Sequence, residues 1–251
     1  MKKCIIALAV PLLMIGGAAM AQNCQVPDEV KFIGTTGQPT VRYERMSPGG
    51  VQVVAGSGGV AGAAHFQDCT TGYMQGGVQW VEFDFATHLF FGYNNGAPGI
   101  GDHLGFIGRG KFLADPNHPL QGRGVIFHKD WGVLGEYFSP PDKYCQSLSV
   151  TPMGGVPCPT DGSAPQGGRV FPFALMDGVW YHVSAHIAQS GIAYTITAPD
   201  GTYQSYWAEA SPSQLPANFQ GFSLFTICAG GCDGKDFVAH FGNIRLGWFL
   251  P

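Results

Sequence analysis

Residues 180–201 read WYHVSAHIAQSGIAYTITAPDG, a stretch with the pattern of a β hairpin. Its first half alternates, with apolar residues at 181, 183, 185 and 187 and polar residues at 182, 184 and 186. A period of two predicts a strand with one face in a core. Gln189-Ser190-Gly191 and Pro199-Asp200-Gly201 supply turn residues. The stretch therefore predicts a hairpin of two strands, at 180–188 and 192–198.

Similar short runs bounded by turn residues recur along the chain. Strands are also predicted at 41–45, 51–55, 78–87, 104–113, 124–128, 132–138, 202–207, 222–228 and 237–246. The 38 glycines, the 18 prolines and a charged fraction of only 12% favour tight turns over helices. The stretch 139–168, rich in proline and glycine, is predicted to be a long loop.

The first 21 residues are predicted to be a cleaved secretory signal. Lys2 and Lys3 precede an apolar run, and Ala19-Met20-Ala21 places small residues at the two positions that a signal peptidase reads. The run is shorter than the roughly 20 residues that a membrane span needs. We expect a single β domain over residues 22–251, secreted to the periplasm or outside the cell.

The charge balance excludes one class of partner. The chain has 13 Lys and Arg against 17 Asp and Glu, a net charge of −4. Without Lys2 and Lys3 the balance is 11 against 17, or −6. No basic stripe runs along the sequence, so we expect no nucleic-acid partner.

The cysteines predict disulfides. Cys4 would leave with the signal, so six of the seven cysteines remain in the exported protein. An even number of cysteines in an exported protein indicates that they pair, here as three bridges. The remaining six are Cys24, Cys69, Cys145, Cys158, Cys228 and Cys232. Six cysteines allow 15 pairings. We favour Cys24–Cys69, Cys145–Cys158 and Cys228–Cys232. Metal binding by the CAGGC segment at 228–232 is disfavoured, because no second cysteine pair or histidine pair accompanies it.

Three stretches resemble concanavalin A-like lectin and glucanase domains, the LamG-like jelly rolls. They are residues 180–201, the terminal FVAHFGNIRLGWF at 237–249 and GGVQWVEFDF at 76–85. In that superfamily a strand led by W-Y-x-V runs into a hairpin and a P-D-G turn, and the last strand often reads N-I-R-L. The resemblance covers residue 76 to the end. It implies an all-β jelly-roll sandwich of two antiparallel sheets, one with a concave face that binds saccharides.

The strand at 78–87 carries the candidate site. Val81, Phe83 and Phe85 would face the core, which leaves Trp80, Glu82, Asp84 and then His88 on the other face. An aromatic ring beside carboxylates suits a sugar, which has an apolar face and a hydroxyl edge. The predicted carbohydrate-binding residues are Trp80, Trp131, His88, His128 and Arg109. Trp180, Trp207 and Trp248 are expected to pack between the sheets.

A glycoside hydrolase is the enzymatic alternative. Laminarinase-like members of the superfamily carry E-x-D-x-x-E on one strand, and Glu82-Phe83-Asp84 matches its first half. Thr87 occupies the third acidic position. A retaining mechanism needs a second carboxyl about 5–5.5 Å away. Glu136 is the candidate for it, with Glu82 as its partner and Asp84 as helper.

Other interpretations stay open. Glu82 and Asp84 could be ordinary polar positions of an antiparallel strand, in a structural or adhesive surface protein. A polysaccharide lyase would use histidine and tyrosine, as at His128 and Tyr137, with Arg109 or Arg123 neutralising a uronate. No cofactor is expected, unless calcium binds the oxygen ligands of the loop that contains Asn94, Asn95 and Asp102. Turn formation explains those residues equally well.

Overall fold

The chain is described by a computed structural model. It describes residues 22–24, 27, 29–33, 44–46, 50–55, 61–67, 69, 77–88, 102–112, 120–128, 132–138, 146–147, 175–188, 191–209, 221–228 and 237–249. The strands are β1 (Gln22–Asn23), β2 (Glu29–Ile33), β3 (Glu44–Met46), β4 (Gly50–Ala55), β5 (Ala61–Phe66), β6 (Val78–His88), β7 (Asp102–Phe112), β8 (Leu120–His128), β9 (Gly132–Phe138), β10 (Gln146–Ser147), β11 (Tyr181–Ala188), β12 (Gly191–Thr197), β13 (Tyr203–Glu209), β14 (Gly221–Cys228) and β15 (Phe237–Phe249). Within these ranges no helix is long and apolar enough to cross a membrane.

The strands form two sheets. Sheet A has the order β13-β12-β11-β6-β15-β4-β3, and β1 also pairs with β15. Sheet B has the order β10-β9-β8-β7-β14-β5-β2. Neighbouring strands are antiparallel, as between β6 and both β11 and β15. The predicted all-β sandwich of two antiparallel sheets is confirmed.

Aromatic side chains fill the space between the sheets. Phe83 and Phe85 of β6 meet Phe106 and Phe127 of sheet B, with ring centroids 5.6 Å apart for Phe83–Phe106 and 5.5 Å for Phe85–Phe127. All four rings are fully buried. Because alternate residues of a strand point to opposite faces, Glu82 and Asp84 must leave β6 on the side away from sheet B. The alternation predicted for this strand is confirmed.

The hairpin that the sequence predicts is also confirmed. β11 and β12 are antiparallel neighbours, and Ala188 at the end of β11 pairs with Gly191 at the start of β12. At the Pro-Asp-Gly turn, Gly201 has a φ of +86°, a conformation that favours glycine. The Asp200 carboxylate accepts a hydrogen bond from the Thr202 amide at 2.9 Å. That bond from the Thr202 backbone is the main reason why the pKa of Asp200 lies below its usual value.

The two sheets differ in what covers their outer faces. The outward positions of sheet B that the structure describes are buried, which leaves them closed to a large ligand. They are Ala63, His65, Ile107, Ser223 and Phe225. A hydrogen bond of 2.7 Å joins His65 Nδ1 to Ser223 Oγ within this layer. The outer face of sheet A, in contrast, carries exposed polar and aromatic side chains.

One predicted disulfide is confirmed. Cys24 is bonded to Cys69, with a Cα–Cα distance of 5.7 Å. Cys24 follows β1 of sheet A and Cys69 follows β5 of sheet B, so the bridge ties the two sheets together.

Other predictions about the chain fall outside the described residues. The predicted signal (1–21) lies there, and so do Cys145, Cys158 and Cys232. Cys228 ends β14 opposite Asp102, but its side chain is not described. The Cys145–Cys158 and Cys228–Cys232 pairings stay predictions. Of the predicted loop 139–168, the structure describes Gln146–Ser147, a short strand paired with β9.

Candidate functional site

Strand register aligns polar side chains in two rows on the outer face of sheet A, here called the polar face. The Asp84 row crosses five strands through Gly242, Asp84, His182, Thr197 and Tyr203. The Glu82 row lies beside it and contains Arg245, Glu82, Ser184, Thr195 and Ser205. Both rows place hydrogen-bonding groups on an open sheet surface.

In the Asp84 row, the carboxylate of Asp84 is held from two sides. His182 Nδ1 lies 2.8 Å from Oδ1, and the Asn243 side-chain amide donates to Oδ2. Asn243 reaches this position because β15 bulges between Gly242 and Arg245 and Asn243 takes a φ of +51°. Such a bulge adds a residue to one strand and redirects its side chains, and asparagine tolerates the left-handed region better than most residues.

In the Glu82 row, Arg245 Nη2 donates to Glu82 Oε2 across the β6–β15 pair. Further along the row the hydroxyls of Thr195 and Ser205 are 2.7 Å apart. The Arg245–Glu82 pair is partly exposed to solvent. Exposed pairs of this kind contribute about 0–1 kcal/mol. Glu82 and Arg245 can therefore bind a ligand in place of each other with little loss of stability.

Exposed aromatic side chains surround these rows. Among the described residues the exposed aromatics are Trp180, Tyr203 and Phe249, at 45%, 65% and 41% exposure, and all three lie on the polar face. The Trp180 ring lies over Gly242, at 3.6–3.8 Å from where a Cβ would stand. Tyr203 occupies the opposite end of the Asp84 row. Phe249 lies beyond the Glu82 row and contacts His186 edge-on at 5.4 Å.

A tight turn delivers Trp180 to this position. The Val179 amide donates to the Met176 carbonyl at 3.3 Å, and Gly178 between them has a φ of +75°. A positive φ at the third residue is the mark of a type II turn, where glycine is preferred. The Met176 amide donates to the Tyr181 hydroxyl at 2.9 Å. Burial is the main reason why the pKa of Tyr181 is raised.

Trp80 is not the exposed platform that the sequence predicts. Only 9% of Trp80 is exposed. Its ring lies flat on Gly247, where a Cβ would come within 2.7–2.8 Å of three ring atoms, and Phe249 packs beside it at 6.2 Å. The prediction of its face is right, but the prediction of its exposure is wrong. Trp180, expected between the sheets, faces solvent instead.

Arg109 was predicted to contact a glycan, and this prediction is wrong because only 1% of Arg109 is exposed. Its Nη1 donates to the Gly77 carbonyl at 2.6 Å. Its guanidinium carbon lies 5.3 Å from the ring centroid of Trp248, a tryptophan that is buried as expected. The β7–β8 register shifts between Gly108 and Lys111, and Arg109 has a φ of +46°. That irregularity breaks the alternation by which a strand residue is assigned to a face.

The predicted catalytic pair of Glu82 and Glu136 is also wrong. Glu136 lies in β9 of sheet B, opposite Gly124 of β8. Glu82 leaves sheet A on the face away from sheet B, so the core separates the two positions. Thr87, at the third position of the acidic motif, is buried and points to the side of β6 opposite Glu82 and Asp84. Neither position therefore gives Glu82 the partner acid that the hydrolase hypothesis needs.

The remaining predicted contacts are placed only in part. His88 is exposed at the end of β6, opposite Val238. His128 ends β8 opposite His103, but its side chain is not described, and Trp131 lies outside the described residues. Of these residues, only His88 is placed on the polar face.

Metal binding has no support from the described residues. No group of three or more His, Cys, Asp or Glu side chains among them could hold a metal ion. Asn94 and Asn95 lie outside the described residues, and Asp102 begins β7 with its side chain not described. Calcium binding by that loop stays a prediction.

Comparison with known proteins concerns the fold alone. No family model and no curated protein matches the chain. The chain is similar to legume lectins. The seed lectin of Lotus tetragonolobus matches at 10% identity and a TM-score of 0.49, over 93% of this chain and 99% of the lectin. Lectin II from Ulex europaeus matches at 13% identity and a TM-score of 0.47, over 94% of this chain and 100% of the lectin. Winged bean acidic lectin, in complex with methyl-alpha-D-galactose, matches at 11% identity and a TM-score of 0.47, over 93% of this chain and 98% of the lectin. Such likenesses concern the arrangement of strands and assign no ligand to this chain.

Proposed function

We propose that this protein is secreted and binds an extracellular oligo- or polysaccharide on the polar face of sheet A. The observation that carries the proposal is the Asp84 row, which has an exposed aromatic at each end. Trp180 lies over Gly242 at one end, and Tyr203 lies at the other. With a strand spacing of 4.7–4.9 Å, the four steps between them span roughly 19 Å. This length suits an oligosaccharide that runs across the strands.

The chemistry of the row matches that of a sugar chain. Trp180 and Tyr203 offer apolar rings to the C–H faces of sugars. Asp84 and His182 lie between them and can bond to hydroxyl groups. A carboxylate has about four acceptor sites, so Asp84 can accept from a ligand while it keeps its contacts to His182 and Asn243.

The charges on the face favour a neutral glycan. Arg245 pairs with Glu82, and His182 with Asp84, so neither carboxylate is left as an isolated charge. A uronate would meet both carboxylates of the rows as well as their cationic partners. Neutral hydroxyls avoid that repulsion and can both donate and accept.

Two features support recognition without bond cleavage. Thr87 faces the other side of β6 from Glu82 and Asp84. Glu136 belongs to the other sheet. Both placements argue against a role as the acid partner of Glu82 that a retaining hydrolase requires. Secretion is supported by the Cys24–Cys69 disulfide, because such bonds persist mainly in oxidising compartments.

The test is a binding assay on the purified protein with cello-, laminari-, xylo- and mannohexaose, beside an array of acidic glycans. We expect at least one neutral hexasaccharide to bind, and Trp180→Ala and Tyr203→Ala each to weaken it about tenfold, since each removes an aromatic contact. Phe249→Ala is the matched control, because Phe249 is exposed on the same face outside the Asp84 row.

A reducing-sugar assay on the wild type and Glu82→Gln separates binding from hydrolysis. We expect no sugar release from either. Release by the wild type that Glu82→Gln abolishes would favour an enzyme. Unchanged binding in a Trp180→Ala/Tyr203→Ala double variant would rule out the Asp84 row as the site.

A further inference from the structure

We propose that Thr87 and Asp177 form a latch that positions Trp180 for the glycan, and that Trp180 is thereby the specificity-determining platform of the site. The proposal rests on the proposed function. It assigns a role to Thr87, the residue that stands where a glucanase would carry an acid.

The latch consists of two hydrogen bonds between the end of β6 and the turn before β11. Thr87 Oγ1 donates to Asp177 Oδ1 at 2.9 Å. The Thr87 carbonyl accepts from the Gly178 amide at 2.8 Å. One residue of β6 thus holds the turn through both its side chain and its backbone. Asp177 itself is exposed, so the bond from Thr87 reaches the turn at its solvent side.

The latch connects the two halves of the proposed site through a single strand. Asp84 faces outward from β6 and supplies the polar contact, and Thr87, three positions along, faces inward and holds the turn. Trp180 comes two residues after Gly178. Its ring lies over Gly242, the residue of β15 that pairs with Asp84. The separation of ring and carboxylate is therefore set by β6 and its two bonds to the turn.

Preorganisation is what the latch would contribute. Trp180 is 45% exposed and its ring lies over Gly242, a residue without a side chain, so the turn is well placed to determine where the ring lies. If the turn were free, binding would have to order it at the expense of affinity. A lost hydrogen bond of this kind should weaken binding about three- to tenfold.

Paired variants test the latch. Thr87→Val removes the hydroxyl and keeps the branched shape, whereas Thr87→Ser keeps the hydroxyl. Asp177→Ala removes the acceptor, whereas Asp177→Asn keeps an oxygen acceptor. Thr226→Val is the matched control, because Thr226 is a buried threonine of the other sheet whose hydroxyl has no hydrogen-bond partner among the described residues. Each variant is titrated with the tightest-binding neutral hexasaccharide of the panel, and its thermal midpoint is recorded.

We expect Thr87→Val and Asp177→Ala to weaken binding about three- to tenfold, while Thr87→Ser, Asp177→Asn and Thr226→Val bind like the wild type. Amide hydrogen exchange without ligand provides a second readout. The Gly178 amide should exchange faster in Thr87→Val and at the wild-type rate in Thr226→Val.

The two proposals fail in different ways. Wild-type affinity and Gly178 exchange in Thr87→Val, with binding lost in Trp180→Ala, would overturn the latch and leave the glycan site intact. Wild-type affinity in Trp180→Ala would instead contradict the proposed site.

Discussion

The Nδ1 atom of His182 lies 2.8 Å from Oδ1 of Asp84, across the pairing of β11 with β6. Asn243 binds the other carboxylate oxygen from β15. The carboxylate is therefore oriented from both neighbouring strands, in the middle of a row that ends in exposed aromatic rings. This arrangement makes Asp84 the central acceptor of the proposed glycan site.

Asp84→Asn should weaken glycan binding about tenfold, because hydrogen bonds to a charged acceptor contribute about 1.5–3 kcal/mol and neutral ones less. Its free energy of unfolding should fall by no more than about 1 kcal/mol, because the His182–Asp84 pair is partly exposed. Calorimetric titration and urea unfolding measure the two quantities. Asn243→Ala should reproduce part of the loss of affinity. Wild-type affinity in Asp84→Asn would remove Asp84 from the site.

Gly242 and Gly247 lie on the same face of β15 and should respond oppositely to alanine. A Cβ at Gly247 would come within 2.7–2.8 Å of the buried Trp80 ring, and such overpacking costs about 1–3 kcal/mol. A Cβ at Gly242 would meet Trp180 at 3.6–3.8 Å, an ordinary contact, so stability should hold or rise by about 0.4–1 kcal/mol. Chemical unfolding of the two variants checks the contrast, and equal losses would refute it.

Thr226→Val should stabilise the fold by about 1 kcal/mol. The hydroxyl of Thr226 is buried and has no hydrogen-bond partner among the described residues, and burying such a group costs about 1–3 kcal/mol. Thr87→Val is the contrasting variant, because the Thr87 hydroxyl donates to Asp177. It should lower stability. Thermal melts of both distinguish them, and a destabilised Thr226→Val would show that its hydroxyl is satisfied.

Replacing Cys24 and Cys69 together with alanine should lower the free energy of unfolding by about 2–4 kcal/mol. The bridge spans 45 residues and ties the two sheets, so its loss releases a long loop in the unfolded chain. Urea unfolding of the double variant measures the effect. Cys24→Ala alone should lose as much. An unchanged midpoint would mean that the bridge does not contribute to stability.

His240 should make the fold less stable in mild acid. Burial, and after it the charge of His88, lower the pKa of His240. Across the strands His240 faces Gln52 and Ala86, which carry no charge. Near pH ~6.5 the unfolded chain binds a proton at this residue more readily than the folded chain does. Stability should therefore be constant above about pH 7 and fall as the pH drops below ~6.5.

His240→Gln should flatten that decline, and His88→Gln should flatten it less, because it removes only the smaller of the two causes. Unfolding free energies measured between about pH 7.5 and pH 5 test the prediction. Identical slopes in the wild type and His240→Gln would contradict it.

Alternation in the sequence predicts the faces of β6 and β11 because both strands are buried on one side and solvated on the other. The same rule missed β5, whose sequence AGAAHF is rich in small residues that give little strand signal. Arg109, predicted to contact a glycan, lies where a register shift in β7 interrupts the alternation, and its side chain is buried. Irregularities of this kind depend on the neighbouring strand and leave no mark in the local pattern.

The two tryptophans of this face were assigned the wrong exposure, each for its own reason. Trp80 is covered because the residue opposite it on β15 is Gly247, which leaves room for the ring to lie flat. Alternation over the predicted strand 180–188 puts Trp180 on the side of His182, but the preference of tryptophan for burial led us to expect it between the sheets. In the structure a glycine turn and its bonds to Thr87 hold Trp180 on the polar face. Which tryptophan is exposed is decided by cross-strand neighbours far apart in sequence.

The measurement that tests the glycan site most directly is an NMR titration of the isotopically labelled protein with each neutral hexasaccharide. We expect the largest amide shift changes along the Asp84 row, at Asp84, His182 and Tyr203, and at Trp180 beside it. Sheet B should change little. Shift changes confined to sheet B or to the loops, or no change with any hexasaccharide, would show that the polar face does not bind a glycan.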